Sequence, residues 1–260
     1  MSIIKEFECK RENLVIRGTE FLPDDYENNK YPIMVICHEL QANRKTVRPY
    51  AKVLAKEGYA VFTFDFCGGS NTSASDGNTT DMSVITEMKD LKAVINYAES
   101  LSYTLKDNIV LMGGSQGGFV SAYVAAELKE RVKYLILLYP AFCIPHDVRN
   151  GYLMQARFDS KNPPEKVNCG WNTWLGKVYI ADAINLNFEK DIINYKGSVL
   201  LLHGNADSLV NYDYSFRAYN AYKSAGAKAE YHIIDGADHI FRTKEHFDIA
   251  VNYIKKFLQK

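Results

Sequence analysis

Five residues, Gly113-Gly114-Ser115-Gln116-Gly117, constrain this chain more than any other stretch. They follow the apolar run Ile109-Val110-Leu111-Met112 and precede a helix-like stretch from Phe119 to Leu128. A serine centred in G-x-S-x-G, between a strand and a helix, is the pattern of a nucleophile elbow. So sharp a turn leaves little room for flanking side chains, and glycine adopts strained backbone angles at little steric cost. The turn presents the Ser115 hydroxyl to solvent, with the N-terminus of the next helix aimed at developing negative charge. Phosphate-cradling loops fit worse. G-x-G-x-x-G needs glycine where Ser115 stands, and a P-loop needs lysine where Phe119 stands. The segment therefore points to hydrolase chemistry, with a purely structural tight turn as the alternative.

The rest of the chain is compatible with that reading. At 260 residues it suits a single domain spanning 1–260, because such α/β folds commonly reach this size before splitting. Its 31 basic and 31 acidic residues cancel, which favours neither nucleic acid nor an anionic membrane as partner. A small-molecule ester is the expected partner, and a homodimer is compatible with it. The five cysteines form no C-x-x-C pair, so neither a disulfide framework nor a structural zinc site is expected. The first ten residues lack the apolar core of a signal peptide, and a cytoplasmic location is expected.

Strand-like and helix-like stretches alternate along the chain. A hairpin is expected over Ile3–Cys9 and Leu14–Phe21, then a buried strand at Ile33–Cys37. A helix from about Thr46 to Glu57 should end at Gly58, followed by strand Ala60–Phe64. Val84, Ile85, Met88, Leu91, Val94 and Ile95 recur at helical spacing, predicting a helix over Ser83–Leu101. After the elbow come strand Tyr134–Tyr139, strand Val199–Leu202, helix Tyr212–Ala225, strand Glu230–Ile234 and a C-terminal helix from about Glu245 to Leu258. This alternation implies a mostly parallel sheet with helices on both faces. Right-handed crossovers would gather the loops that follow the strands along one edge. The stretch 141–196 shows no clean period and reads as an insertion over that edge.

A serine hydroxyl needs a base to take its proton, and the base needs a third group to orient it. Among six histidines, His239 is the candidate base, in a small-residue loop between the last strand and the last helix. Asp207, in the loop after the preceding strand, is the candidate acid. Asp213 is the runner-up, while Asp235 and Asp238 adjoin His239 too closely to reach its Nδ1. His203 ends a strand and reads as structural. The loop His38-Glu39-Leu40-Gln41 also follows a strand, and oxyanion donors are expected from the backbone N–H groups of Leu40 and Gln116.

With the elbow, Gly204-Asn205-Ala206-Asp207 and Gly236-Ala237-Asp238-His239 in this order, the chain resembles the α/β-hydrolase superfamily along nearly its whole length. Within it, the chain is similar to bacterial intracellular cinnamoyl (feruloyl) esterases. The segments carrying this are His38–Arg44, Phe64–Ser70, Gly114–Gly118 and Leu138–Ala141. The resemblance implies that 141–196 caps the site, that Asp147 and Tyr179 bind phenolic hydroxyls, and that Trp171, Trp174, Tyr152 and Phe158 offer aromatic surface. Two departures stand out. Relatives often carry His-Gly where this chain has His38-Glu39, and histidine where it has Gly114, which is expected to leave room beside Ser115.

Together these features predict a serine carboxylic-ester hydrolase acting on hydroxycinnamoyl or related aromatic esters, without metal or organic cofactor. A broad carboxylesterase or peptidase-like serine hydrolase is the alternative enzyme. A non-enzymatic binding module with the same fold is the third reading.

Overall fold

The computed structural model describes residues 2–260. The chain opens with an antiparallel hairpin, β1 (Ile3–Arg11) and β2 (Leu14–Leu22). Next come β3 (Tyr31–Cys37), α1 (Arg48–Leu54), β4 (Ala60–Phe64) and α2 (Val84–Ser100). The elbow joins β5 (Thr104–Gly114) to α3 (Ser115–Leu128), followed by β6 (Val132–Leu138). The 141–196 segment holds α4 (Ile144–Arg149), the ribbon β7 (Tyr152–Leu153) and β8 (Ala156–Arg157), and the ribbon β9 (Lys166–Asn168) and β10 (Trp174–Gly176). It ends in α5 (Lys177–Ala183) and α6 (Phe188–Asp191). The chain closes with β11 (Ser198–Gly204), α7 (Asp213–Ser224), β12 (Lys228–Ile234) and α8 (Lys244–Leu258).

Eight strands form one sheet in the order β1-β2-β4-β3-β5-β6-β11-β12. Only the β1/β2 and β2/β4 pairings are antiparallel; the other five run parallel. This is the α/β-hydrolase fold that the sequence predicted.

The central strands are apolar throughout because each has helices on both faces, and their side chains alternate between the two. On β3, Ile33, Val35 and Cys37 join the core beneath α2, α3 and α7, whereas Met34 and Ile36 join the core beneath α1 and α8. β11 does likewise, sending Val199 and Leu201 one way and Leu200 and Leu202 the other. Local signals set the helix ends. Ser83 caps α2 through a reciprocal capping box with Thr86, and Gly58 ends the turn after α1 at φ 89°.

Two boundaries differ most from expectation. β5 begins five residues before Ile109, with a register shift at Ile109/Val110. α3 begins at Ser115 itself rather than near Phe119. The small residues that weaken helix propensity here are fixed by packing instead. A Cβ on Gly113 would sit 2.3 Å from the Gly117 carbonyl oxygen, and one on Gly117 2.5 Å from that of Cys37. Backbone passes backbone at distances that only glycine permits.

Candidate active site

Ser115 leaves the strand at φ 50°, in the left-handed region that is rare for residues with a Cβ. Its hydroxyl donates to His239 Nε2 at 3.0 Å. His239 comes from the loop after β12, and its Nδ1 lies 2.7 Å from Asp207 Oδ2. Asp207 comes from the loop after β11, so three separate loops converge on one edge of the sheet. A carboxylate only accepts, so Nδ1 carries the proton and Nε2 is free to accept from serine.

The Asp207 side chain is fully shielded from solvent. Burial alone would raise its pKa, but hydrogen bonds from His203 and His239, and the neighbouring His239 charge, hold it well below the usual carboxylate range. Its other oxygen, Oδ1, accepts from the Leu209 and Val210 amides at 2.8 and 2.9 Å. His203, at the end of β11, is one of these donors. Its Nε2 donates to Asp207 Oδ2 at 2.9 Å, and its Nδ1 accepts from the Ser215 hydroxyl at 2.7 Å. It is structural, as expected, and the structure it holds is the carboxylate itself.

His38 anchors the loop in front of Ser115. Its Nδ1 donates to the Glu39 carbonyl at 2.7 Å, and its Nε2 accepts from the Phe66 amide at 3.2 Å. Burial lowers its pKa, keeping the ring neutral in that double role. Arg44 ties down the far end of the loop, its Nη1 donating to the buried Asp65 at 2.6 Å. Leu40 therefore sits at the rim of a fixed loop, beside Ser115 and Gln116 in one cavity. Gln116 is the second residue of α3, so its N–H is among those that no helical carbonyl reaches.

That cavity has a volume of about 350 Å³ and extends beneath the 141–196 segment, with Asp147, Tyr152, Trp171 and Tyr179 on its walls. The segment is tied to the body at several points. Gln41 Nε2 donates to the Gly170 carbonyl at 3.4 Å, Thr79 to that of Trp174 at 2.6 Å, and Ser83 to Asp182 at 2.5 Å. Trp171 is 68% exposed. Trp174 lies outside this cavity, under the Lys166 ammonium, and Phe158 packs against the core.

Tyr179 is fully buried, and its hydroxyl donates to Gln116 Oε1 at 2.6 Å. Gln116 Nε2 in turn donates to Glu87 Oε2 at 2.8 Å. The Tyr179 hydroxyl proton is thus already engaged within the protein. Asp147 reaches His146 Nδ1 at 3.3 Å and keeps one face toward the cavity.

The expected room beside Gly114 is absent. A Cβ at that position would meet Glu39 Oε1 at 2.8 Å and Tyr139 Cε2 at 2.9 Å. The Glu39 side chain and the Tyr139 ring occupy the space that glycine vacates.

The chain superposes on Est1E from Butyrivibrio proteoclasticus with ferulic acid bound, at a TM-score of 0.86, 24% identity and coverage of 98% of this chain and 100% of that one. It also superposes on a Pyrococcus furiosus esterase, Pf2001, with TM-score 0.72, 20% identity and coverage of 99% and 92%. At these identities the likeness is one of fold. An uncharacterised 31.7 kDa Escherichia coli protein is 31% identical over 110 residues, which span 42% of this chain and only 37% of that relative. No described helix is long and apolar enough to cross a membrane. The sequence pattern of the prolyl oligopeptidase family matches residues 45–260, including all three converging loops, and the chain belongs to that family of α/β-hydrolases.

Proposed function

We propose that the protein is a serine carboxylic-ester hydrolase acting through an acyl-enzyme, with hydroxycinnamoyl or related aromatic acids as its acyl group. The observation that carries this is the chain of hydrogen bonds from Ser115 through His239 to Asp207, at 3.0 and 2.7 Å. His239 Nε2 takes the Ser115 proton as Oγ attacks the ester carbonyl. The oxyanion is held by the Leu40 and Gln116 amides, each such donor contributing roughly 2.7–4 kcal/mol. His239 then protonates the departing alcohol, and water repeats the cycle to release the acid. Asp207 keeps the imidazole in the required tautomer and stabilises its cation.

The 141–196 segment acts as the cap, and the cavity beneath it receives the acyl group. Asp147 and the aromatic walls support a planar, hydroxylated ring there. Family membership supports the second reading, a peptidase-like hydrolase acting on amides. Two measurements test the proposal. A phosphonate probe should label the wild type but not Ser115→Ala; an unlabelled wild type at neutral pH overturns the acyl-enzyme. Comparing a hydroxycinnamate ester, a short aliphatic p-nitrophenyl ester and an aminoacyl amide then assigns the acyl class, and fastest turnover of the amide favours the second reading.

A further inference from the structure

A second cavity, of about 720 Å³, adjoins the first at Ser115. It lies between the loop after β3 and the start of α8, and shares Ser115 and His239 with the first cavity. Two adjoining cavities at the Ser115 hydroxyl leave room for the two halves of an ester, one in each.

Glu39 lines this second cavity without an ion-pair partner, although Arg242 and Lys244 line it too. Glu39 Oε1 accepts from the Tyr139 hydroxyl at 3.1 Å, and Oε2 lies 3.1 Å from the Thr46 hydroxyl, which shares its proton with the Asn43 carbonyl at 3.0 Å. Both donors are neutral. The cations nearby are engaged elsewhere: Arg44 with Asp65, and at the exposed rim Arg242 with Asp238 and Lys244 with Asp248. Among the described residues, none forms an ion pair with Glu39.

Tyr50 supplies an independent observation. It lines the same cavity at 6% exposure, and its buried hydroxyl has no hydrogen-bond partner. Buried polar atoms without partners are uncommon in folded proteins. Burial, and after it the Glu39 carboxylate, pushes the Tyr50 pKa upward, so it remains a neutral hydroxyl. The cavity lining thus includes a carboxylate, the Thr46 and Tyr139 hydroxyls beside it, and Tyr50, whose hydroxyl is unpartnered. The rings of Phe247 and Trp171 stand alongside.

An ammonium has donors and no acceptors, gains strength against a carboxylate, and is attracted to aromatic faces. A neutral polyol would satisfy the hydroxyls and leave the charge uncompensated, and an anion would be repelled. We infer that this cavity is the leaving-group subsite and selects alcohols that carry an ammonium group, with Glu39 as the specificity-determining residue. The inference rests on the acyl-transfer reading above.

The test uses two esters of one acid with alcohols of equal shape, 2-(dimethylamino)ethanol and its uncharged isostere 3-methylbutanol, with the glycerol ester as a third arm. At neutral pH and low salt, kcat/KM should favour the cationic ester by about tenfold, as expected of one charge-assisted contact partly screened by water. That preference should shrink as salt is raised. It should fall to about one in Glu39→Gln and decline in Tyr50→Phe. Equal wild-type rates on the two matched esters overturn the subsite and leave the hydrolase intact. A clear preference for the glycerol ester also overturns it, in favour of a neutral polyol. Failure to hydrolyse any of the three overturns both readings. The salt series needs no variant, so the result stands even where Glu39→Gln fails to fold.

Discussion

At the scale of single residues, the site depends on how firmly Asp207 is held. Four donors fix it: two imidazoles and two backbone amides. His203→Phe keeps a ring in the buried slot and removes one of them. kcat should fall by about 10²-fold with little change in KM, as expected when a reacting group is misplaced by an ångström or so. Unchanged kcat beside a lowered Tm would make His203 a packing residue only. Asp147→Ala should reduce kcat/KM for hydroxylated aromatic esters more than for aliphatic ones, since a site built to hydrogen-bond a hydroxyl discriminates through that bond. Equal losses on the two ester types would leave Asp147 a support for its own segment. The convergence of Ser115, Asp207 and His239 was legible in the sequence because each lies just after a strand, in the order that a parallel sheet brings together. His203 was not, since a histidine ending an apolar strand carries no mark of the carboxylate four residues on. The space beside Gly114 was misread for a related reason: a missing side chain says nothing about which neighbour fills the gap.

Among the elements, α2 carries the least expected chemistry. Its apolar period identified the helix, yet Glu87 and Asp90 are also fully buried on it. Periodicity registers apolar side chains and passes over polar ones whose partners lie far along the chain, here Gln116 for Glu87 and Arg11 for Asp90. Burial drives the Glu87 pKa well above normal, against the Gln116 hydrogen bond that lowers it. Burial likewise raises Asp90 to about 6, against the opposing Arg11 charge. A carboxyl whose folded pKa exceeds its unfolded one contributes stability at low pH and loses it as pH rises through that interval. Glu87→Gln keeps an acceptor for Gln116 and removes the titration. The variant should therefore gain Tm relative to wild type at pH 8 and gain less at pH 5. An equal difference at both pH values would show that Glu87 does not titrate in this range.

For the molecule as a whole, the sheet and its helices were readable because long strands buried on both faces are written in continuous apolar runs. The 141–196 segment was not, because its helices and ribbons are too short to show a period and owe their conformation to what they touch. One attachment passes through Ser83, which caps α2 and also donates to Asp182 on α5. Ser83→Ala removes both contacts and should lower stability by about 1 kcal/mol or more, a fall of roughly 2–4 °C in Tm for a chain of this size. No change in Tm would mean that neither contact matters in solution. The order of the strands has a last consequence, for the chain as it is being made. Ser115 is synthesised long before His239, which follows β12. A nascent polypeptide that has just passed α3 already holds the proposed nucleophile but lacks the imidazole proposed to activate it. On the proposed mechanism, the nascent protein gains hydrolytic power only once β12 and the loop after it have been made.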